Sequence, residues 1–333
     1  GGGGGGEAPR QSDDITSIAQ LRTAADAAGG GDAVIASLAC RPHCDAFAAG
    51  NGAGRVTLYD PRAAAGGGGG GAASTKDPST PSRRGGRSGS SPSLASGGAG
   101  ASGGGAAAAP GGTSAAAAAK LSPLATWRTH GGARVRALSW SADGRTLAVA
   151  SAAGVLTLLV GSKLAPMCHL ESYFGGLLCC CWSRDGRHVV AGGEDDLVAV
   201  YSVERRAVVA RGQGHRSWVT QVAADPHEHA GACRFTTVGA DGYRATWEVP
   251  SEGVATDEPE APSATATAAQ GASTAVLPAP PFASVPLIEP LALTRVHSMP
   301  LSGLVHAGAS DLVVAGTDGS VRRFSRVRQE QNG

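Results

Sequence analysis

Ala137-Leu138-Ser139-Trp140-Ser141-Ala142-Asp143-Gly144 and Cys179-Cys180-Cys181-Trp182-Ser183-Arg184-Asp185-Gly186 are two copies of one pattern. Trp140 and Trp182 stand 42 residues apart, as do Asp143 and Asp185. In each copy a short apolar run ends on Trp, and an Asp-Gly pair then supplies the φ > 0 position that a tight hairpin needs. Gln221-Val222-Ala223-Ala224-Asp225-Pro226 is a weaker third copy. A repeat of about 40–45 residues is the length of one four-stranded propeller blade.

Working outward, each unit continues with a second strand of small residues: Leu147–Ser151, Val189–Gly193, Thr236–Ala240 and Leu312–Thr317. Third strands close on a bulky residue, Leu159, Tyr201, Trp247 or Phe324, and in three units an Asp lies six positions before it (Asp195, Asp241, Asp318). Fourth strands fall between units at Leu124–Arg128, Leu164–Leu170, Ala207–Arg211 and Leu287–Arg295. An earlier unit fits the frame, with strands at Val34–Ala39, Phe47–Gly50 and Val56–Asp60. The fold class expected is therefore all-β, a WD-repeat β-propeller of about five blades, the last with three strands. A closed ring usually needs about six to eight blades, so the ring is expected to be incomplete, with the missing part upstream. The uncharged run Thr146–Ser162 is too short for a comfortable membrane span, and with Gly154 in its middle it reads as two strands. Gly50–Gly54 opens no helix and reads as a hairpin turn, not a phosphate loop.

The 51 Gly and 19 Pro crowd into Gly1–Gly6, Ala63–Ala119 and Pro250–Ser284. Tracts so poor in large apolar residues cannot offset their own ordering entropy, and are expected to be disordered Gly/Ala/Ser-rich insertions. The organisation expected is a low-complexity N-terminus (1–31), the start of the first blade (32–62), an insertion (63–120), WD-repeat blades (121–249), a second insertion (250–284), the last strands (285–327) and a flexible tail (328–333). Both insertions fall in connections between strands, where length costs little.

A formal net charge of +1 argues against nucleic acid as a partner. The one basic cluster, Arg83, Arg84 and Arg87, lies inside the first insertion. Seven Cys, three of them consecutive, outline no disulfide framework and fit a reducing compartment, the cytoplasm with the nucleus as a second location. Cys40 and Cys44 have no second pair at ligand spacing, and His227, Glu228 and His229 follow a proline turn without a fourth ligand, so no metal is expected. No nucleophile elbow, P-loop or zincin motif is present, and neither catalysis, a cofactor, a small-molecule substrate nor a membrane is expected.

Gly214-His215 before a blade, followed by Thr237, Asp241 and Trp247, reads as a buried structural network in which imidazole bridges carboxylate and hydroxyl while indole N–H donates to the hydroxyl. Phe174 and Trp218 precede neighbouring blades, 44 residues apart, and read as the same loop on one rim. Two large rings there would make a protein-binding hot spot.

Ser172-Tyr173-Phe174-Gly175-Gly176-Leu177-Leu178-Cys179, Gly192-Gly193-Glu194-Asp195-Asp196-Leu197-Val198, Ala210 through Val219, and Val285-Pro286-Leu287-Ile288-Glu289-Pro290-Leu291 closely resemble one WD-repeat family. That family includes dystrophia myotonica WD-repeat protein and the fungal carbon catabolite repression protein creC. The resemblance runs from about Leu124 to Val249 and from Val285 to Arg326; it is weak over Val34–Asp60 and absent in the insertions. It implies a non-catalytic partner that binds and activates a ubiquitin-specific protease, with Phe174 and Trp218 at positions facing the protease. Tyr201, where a Trp is expected, and the turn Gly242-Tyr243-Arg244-Ala245 depart from the pattern. A substrate receptor of a ubiquitin-ligase complex, for which no docking motif is seen, and a general interaction scaffold are the alternative readings.

Overall fold

The structure is a computed structural model and describes residues 34–42, 45–61, 123–226, 232–250, 275–307 and 311–325. Cys44, His227–His229, the Arg83–Arg87 cluster and most of both expected insertions lie outside the described residues. Blade 1 is β1 (Ile35–Cys40), β2 (Phe47–Asn51), β3 (Arg55–Tyr59) and β4 (Pro123–Arg128), antiparallel in that order. Blade 2 is β5 (Val135–Trp140), β6 (Thr146–Ser151), β7 (Val155–Val160) and β8 (Ala165–Glu171); blade 3 is β9 (Leu177–Trp182), β10 (His188–Gly193), β11 (Leu197–Ser202) and β12 (Ala207–Gln213). Blade 4 opens with β13 (Val219–Ala224), β14 (Ala232–Gly239) and β15 (Tyr243–Pro250). Two two-residue strands follow, β16 (Val276–Leu277) and β17 (Leu287–Ile288), before β18 (Ala292–Arg295) completes blade 4 against β15. Blade 5 is β19 (Leu301–Ala307), β20 (Asp311–Gly316) and β21 (Val321–Ser325), with no fourth strand among the described residues. Among those residues there is no α-helix; short 3-10 turns include His130–Gly132 and Phe282–Ser284. This is the WD-repeat propeller arrangement, with the first strands β1, β5, β9, β13 and β19 side by side in series.

The hairpins follow from local chemistry repeated blade by blade. After β5, the Ser141 hydroxyl donates to Asp143 at 2.6 Å, Asp143 accepts the Arg145 N–H, and Ser141 Oγ accepts the Thr146 N–H. After β9, Ser183, Asp185, Arg187 and His188 repeat that geometry. Thr146–Ser162 is two strands turning at Gly154, whose φ of +74° an L side chain rarely adopts. At the Gly50–Gly54 turn, Asn51 Oδ1 accepts the N–H groups of Ala53 and Arg55.

Side chains alternate between the two faces of each blade, so each interior lies between blades. Val189 and Ala191 of β10 pack with Leu156, Leu158 and Leu170 of blade 2, whereas Val190 between them packs with Phe235 and Trp247 of blade 4. The consecutive cysteines obey the same rule, with Cys180 facing blade 2 and Cys179 facing blade 4. Burial pushes the Cys180 thiol up to about 12 and the Cys179 thiol higher still, so both are small apolar groups at neutral pH.

Two expectations need correction. Residues 275–284 are structured, although the low-complexity reading placed them in the second insertion. Leu287–Arg295 is two strands in two sheets: β17 pairs parallel with β12 of blade 3, and only β18 belongs to blade 4. β16 likewise pairs parallel with β8 of blade 2. The segment is thus a strap across the outer edges of blades 2, 3 and 4. Two-residue pairings carry no periodicity, which is why the pattern of apolar residues did not reveal them.

Candidate partner-binding rim

The connections that lead from a fourth strand into the next first strand gather at one rim. Asp195 and Asp241, at matching turns of blades 3 and 4, pin two of these loops. Asp241 accepts the N–H groups of Arg216 (2.9 Å) and Tyr243 (3.0 Å). His215 Nδ1 lies 3.1 and 3.2 Å from its two carboxylate oxygens, and His215 Nε2 lies 2.8 Å from Thr237 Oγ1. Trp247 Nε1–H donates to the same Thr237 oxygen at 2.8 Å. A carboxylate only accepts, so Nδ1 carries the proton; in the neutral ring Nε2 then accepts from the Thr237 hydroxyl, and every member is satisfied. Burial alone would raise the Asp241 pKa, but hydrogen bonds from His215, Arg216 and Tyr243 outweigh it and hold the carboxyl below its usual range. Gly212 lets this cluster close, since a Cβ there would meet the Trp247 ring at 2.8 Å.

In blade 3 the positions of His215 and Trp247 hold Tyr173 and Tyr201. No imidazole reaches Asp195, and burial raises its pKa despite backbone hydrogen bonds from Leu197 and Phe174. Glu194 next to it accepts the Gly176 N–H at 3.1 Å and lies 3.6 Å from Arg136. Two carboxylates of one turn therefore hold the loop bearing Phe174.

Phe174 is 61% exposed and Trp218 50% exposed. They occupy corresponding loops but not corresponding positions. Ala240 N–H donates to the Trp218 carbonyl as Glu194 N–H donates to that of Gly176, so Trp218 matches Gly176 while Phe174 matches Arg216. The offset of 44 residues exceeds the true period by two. Sequence reasoning also missed Phe282, on the strap and 37% exposed. Its ring meets Tyr173 edge-on at 5.0 Å, lies 6.0 Å from Phe174, and carries the Arg211 guanidinium 3.7 Å above it. The signal was one aromatic in a proline-rich stretch.

Among the described residues no three His, Cys, Asp or Glu side chains converge as a metal site, and no helix is long and apolar enough to cross a membrane. The family described as "WD domain, G-beta repeat" matches residues 121–158 and 165–202. These stretches are β4–β7 and β8–β11, so the sequence repeat runs from the outer strand of one blade into the next. The WD repeat-containing protein 20 homolog of Caenorhabditis elegans is 41% identical over 107 residues, covering 32% of this chain and 14% of that protein. The chain therefore carries WD repeats and is similar to a protein named for its repeats, not for an enzymatic activity.

Proposed function

We propose that this chain is a non-catalytic platform that binds and activates a ubiquitin-specific protease, docking it on the rim that bears Phe174 and Trp218. The exposure of two large rings on loops held by Asp195, Glu194 and Asp241 carries the reading. Rigid exposed aromatics bury large area at small entropic cost, as interface anchors do. The choice of a ubiquitin-specific protease rests on the resemblance at Ser172–Cys179, Gly192–Val198 and Ala210–Val219, which contain these loops. WD repeats support a protein partner in the coarser sense. The platform acts in the cytoplasm, with the nucleus as a second compartment.

Truncating such an anchor costs about 2 kcal/mol or more, roughly thirtyfold in affinity. Trp218→Ala and Phe174→Ala are expected to lose protease binding and activation at that scale, the first while melting with the parent and the second within a few degrees of it, since the Phe174 ring also lies 6.0 Å from Phe282. The chain alone is expected to leave ubiquitin conjugates intact. Variants that stay folded and still activate the protease would move the docking surface elsewhere.

A further inference from the structure

Three successive loops of the rim each expose one large apolar side chain: Phe174 before blade 3, Trp218 before blade 4 and Met299, 47% exposed, before blade 5. The carbonyls of Gly176, Trp218 and Pro300 accept the N–H groups of Glu194, Ala240 and Thr317, which fixes the register of the three blades. In that register His297 stands where blade 4 has His215, and Asp318 where it has Asp241. The other two members of the blade 4 network are replaced by Val314 and Phe324, which offer neither a hydroxyl nor an indole N–H. His297 therefore turns its second nitrogen to its own loop. Its Nε2 lies 3.2 Å from Asp318 Oδ2, and its Nδ1 accepts the Met299 N–H at 2.9 Å. Since Nδ1 accepts and a carboxylate only accepts, the proton sits on Nε2. The Gly242 carbonyl accepts the N–H groups of Val296 and His297 at 2.9 and 3.1 Å. Gly242, at φ +77°, permits this approach, because a Cβ there would collide with the His297 carbonyl oxygen. The main chain is thus held from Val296 to Pro300 while the Met299 side chain is left in solvent.

We propose that Met299 is a third anchor of the docking surface, so that the protease seated on Phe174 and Trp218 extends over the blade 5 loop and meets Met299 with an apolar side chain. The proposal rests on the function proposed for the rim and adds the direction in which the partner lies. One exposed apolar side chain standing alone is ordinary on a protein surface. Met299 is instead the third on consecutive loops, and by register it falls one position after the place of Phe174 and one before that of Trp218. The loop leading into blade 2 breaks the row, presenting His130 and Arg134 to solvent. The footprint therefore runs from blade 3 toward blade 5 and not toward blade 2. All residues of the three loops, 172–176, 214–218 and 296–300, are among those described, as are the turns beside them at 194–196, 240–242 and 317–319. Methionine suits the outer part of such a surface. Its unbranched chain adapts to a partner's contour, and its sulfur makes favourable contacts with aromatic rings. Met is also enriched, with Tyr, Trp, Phe and Arg, in the buried cores of protein interfaces.

The test uses the two methionines of the chain, Met167 and Met299. Met167 packs partly buried against the core shared by blades 2 and 3 and serves as the internal control. The full chain, isotope-labelled at its methionine methyls for NMR, is titrated with catalytic domains of ubiquitin-specific proteases, one at a time, beside a soluble paramagnetic agent. In the complex the Met299 methyl is expected to shift and to lose most of its paramagnetic broadening, while that of Met167 stays unchanged. Met299→Ala is expected to weaken binding about fivefold or more, and Met299→Leu to restore it to within about twofold, both melting with the parent. A Met299 methyl as accessible in the complex as in the free chain overturns the proposal, as does undiminished binding by Met299→Ala. In either case, loss of binding by Trp218→Ala leaves the function proposed for the rim standing. Retained binding by folded Trp218→Ala, or no binding of any such protease, overturns that reading and this one together. Protection of the Met299 methyl in the chain alone, growing with its concentration, makes a second copy the occupant and overturns the proposal too.

Discussion

Two aspartates at one repeat position behave in opposite ways because their neighbours differ. Asp241 meets His215, and its folded pKa is lowered. Its contribution to stability is complete above the ordinary carboxylate pKa of about 3.9 and is lost as the pH falls through the lower folded value. Asp195 meets no imidazole, and its folded pKa is raised by burial. Its contribution is present below the ordinary value and is lost as the pH rises through the folded one. Asp241→Ala strands His215 and two backbone donors and is expected to cost roughly 2–4 kcal/mol in a urea melt at neutral pH. A loss well under 1 kcal/mol would make Asp241 a turn residue only. Asp195→Asn keeps an acceptor for Leu197 and Phe174 without the buried charge. It is expected to melt at or above the parent at neutral pH and to lose any advantage near pH 3, which differential scanning across pH resolves.

At the scale of the element, the strap from β16 to β18 ties three blades together. Phe282 is its central fastening, between Arg211 and the Tyr173–Phe174 pair. Removing a ring that makes one cation–π contact and two aromatic contacts is expected to cost about 1–2 kcal/mol. Phe282→Ala should therefore lower the melting temperature by a few degrees and accelerate proteolysis within residues 275–291. Unchanged cleavage there would mean that the short parallel pairings at β16 and β17 suffice. The first insertion makes the opposite case. Its flanking strands pair directly, with Tyr59 opposite Pro123, so a tight turn can replace what lies between. Deleting residues 63–119 is expected to leave the melt within a few degrees of the parent, since loop closure depends only weakly on length. Insoluble material from that deletion would show that the segment packs against the blades.

For the whole molecule, the ends of the blade series matter most. Val34 and Leu38 of the first blade and Val305 and Val321 of the last are exposed, and β21 presents an edge with no further strand among the described residues. Edges and apolar faces of this kind template association. Sedimentation of this chain is expected to show concentration-dependent association that Leu38→Lys together with Val321→Lys suppresses. A chain that stays monomeric at every concentration would mean that these surfaces are covered.

The sequence by itself determined the blade count, the hairpin turns and the register of the inner strands, because each depends on neighbours a few residues away. Alternation of period two, Ser-x-Asp-Gly turns and the 42-residue interval between Trp140 and Trp182 are local signals repeated often enough to be read. The combination His215, Thr237, Asp241 and Trp247 was legible for the same reason: its members sit at fixed offsets within one blade. Tertiary structure decided what depends on distant segments meeting. The strap's parallel pairings, the seat of Phe282 against Tyr173 and Arg211, and the two-position offset between Phe174 and Trp218 leave no periodic trace in the chain.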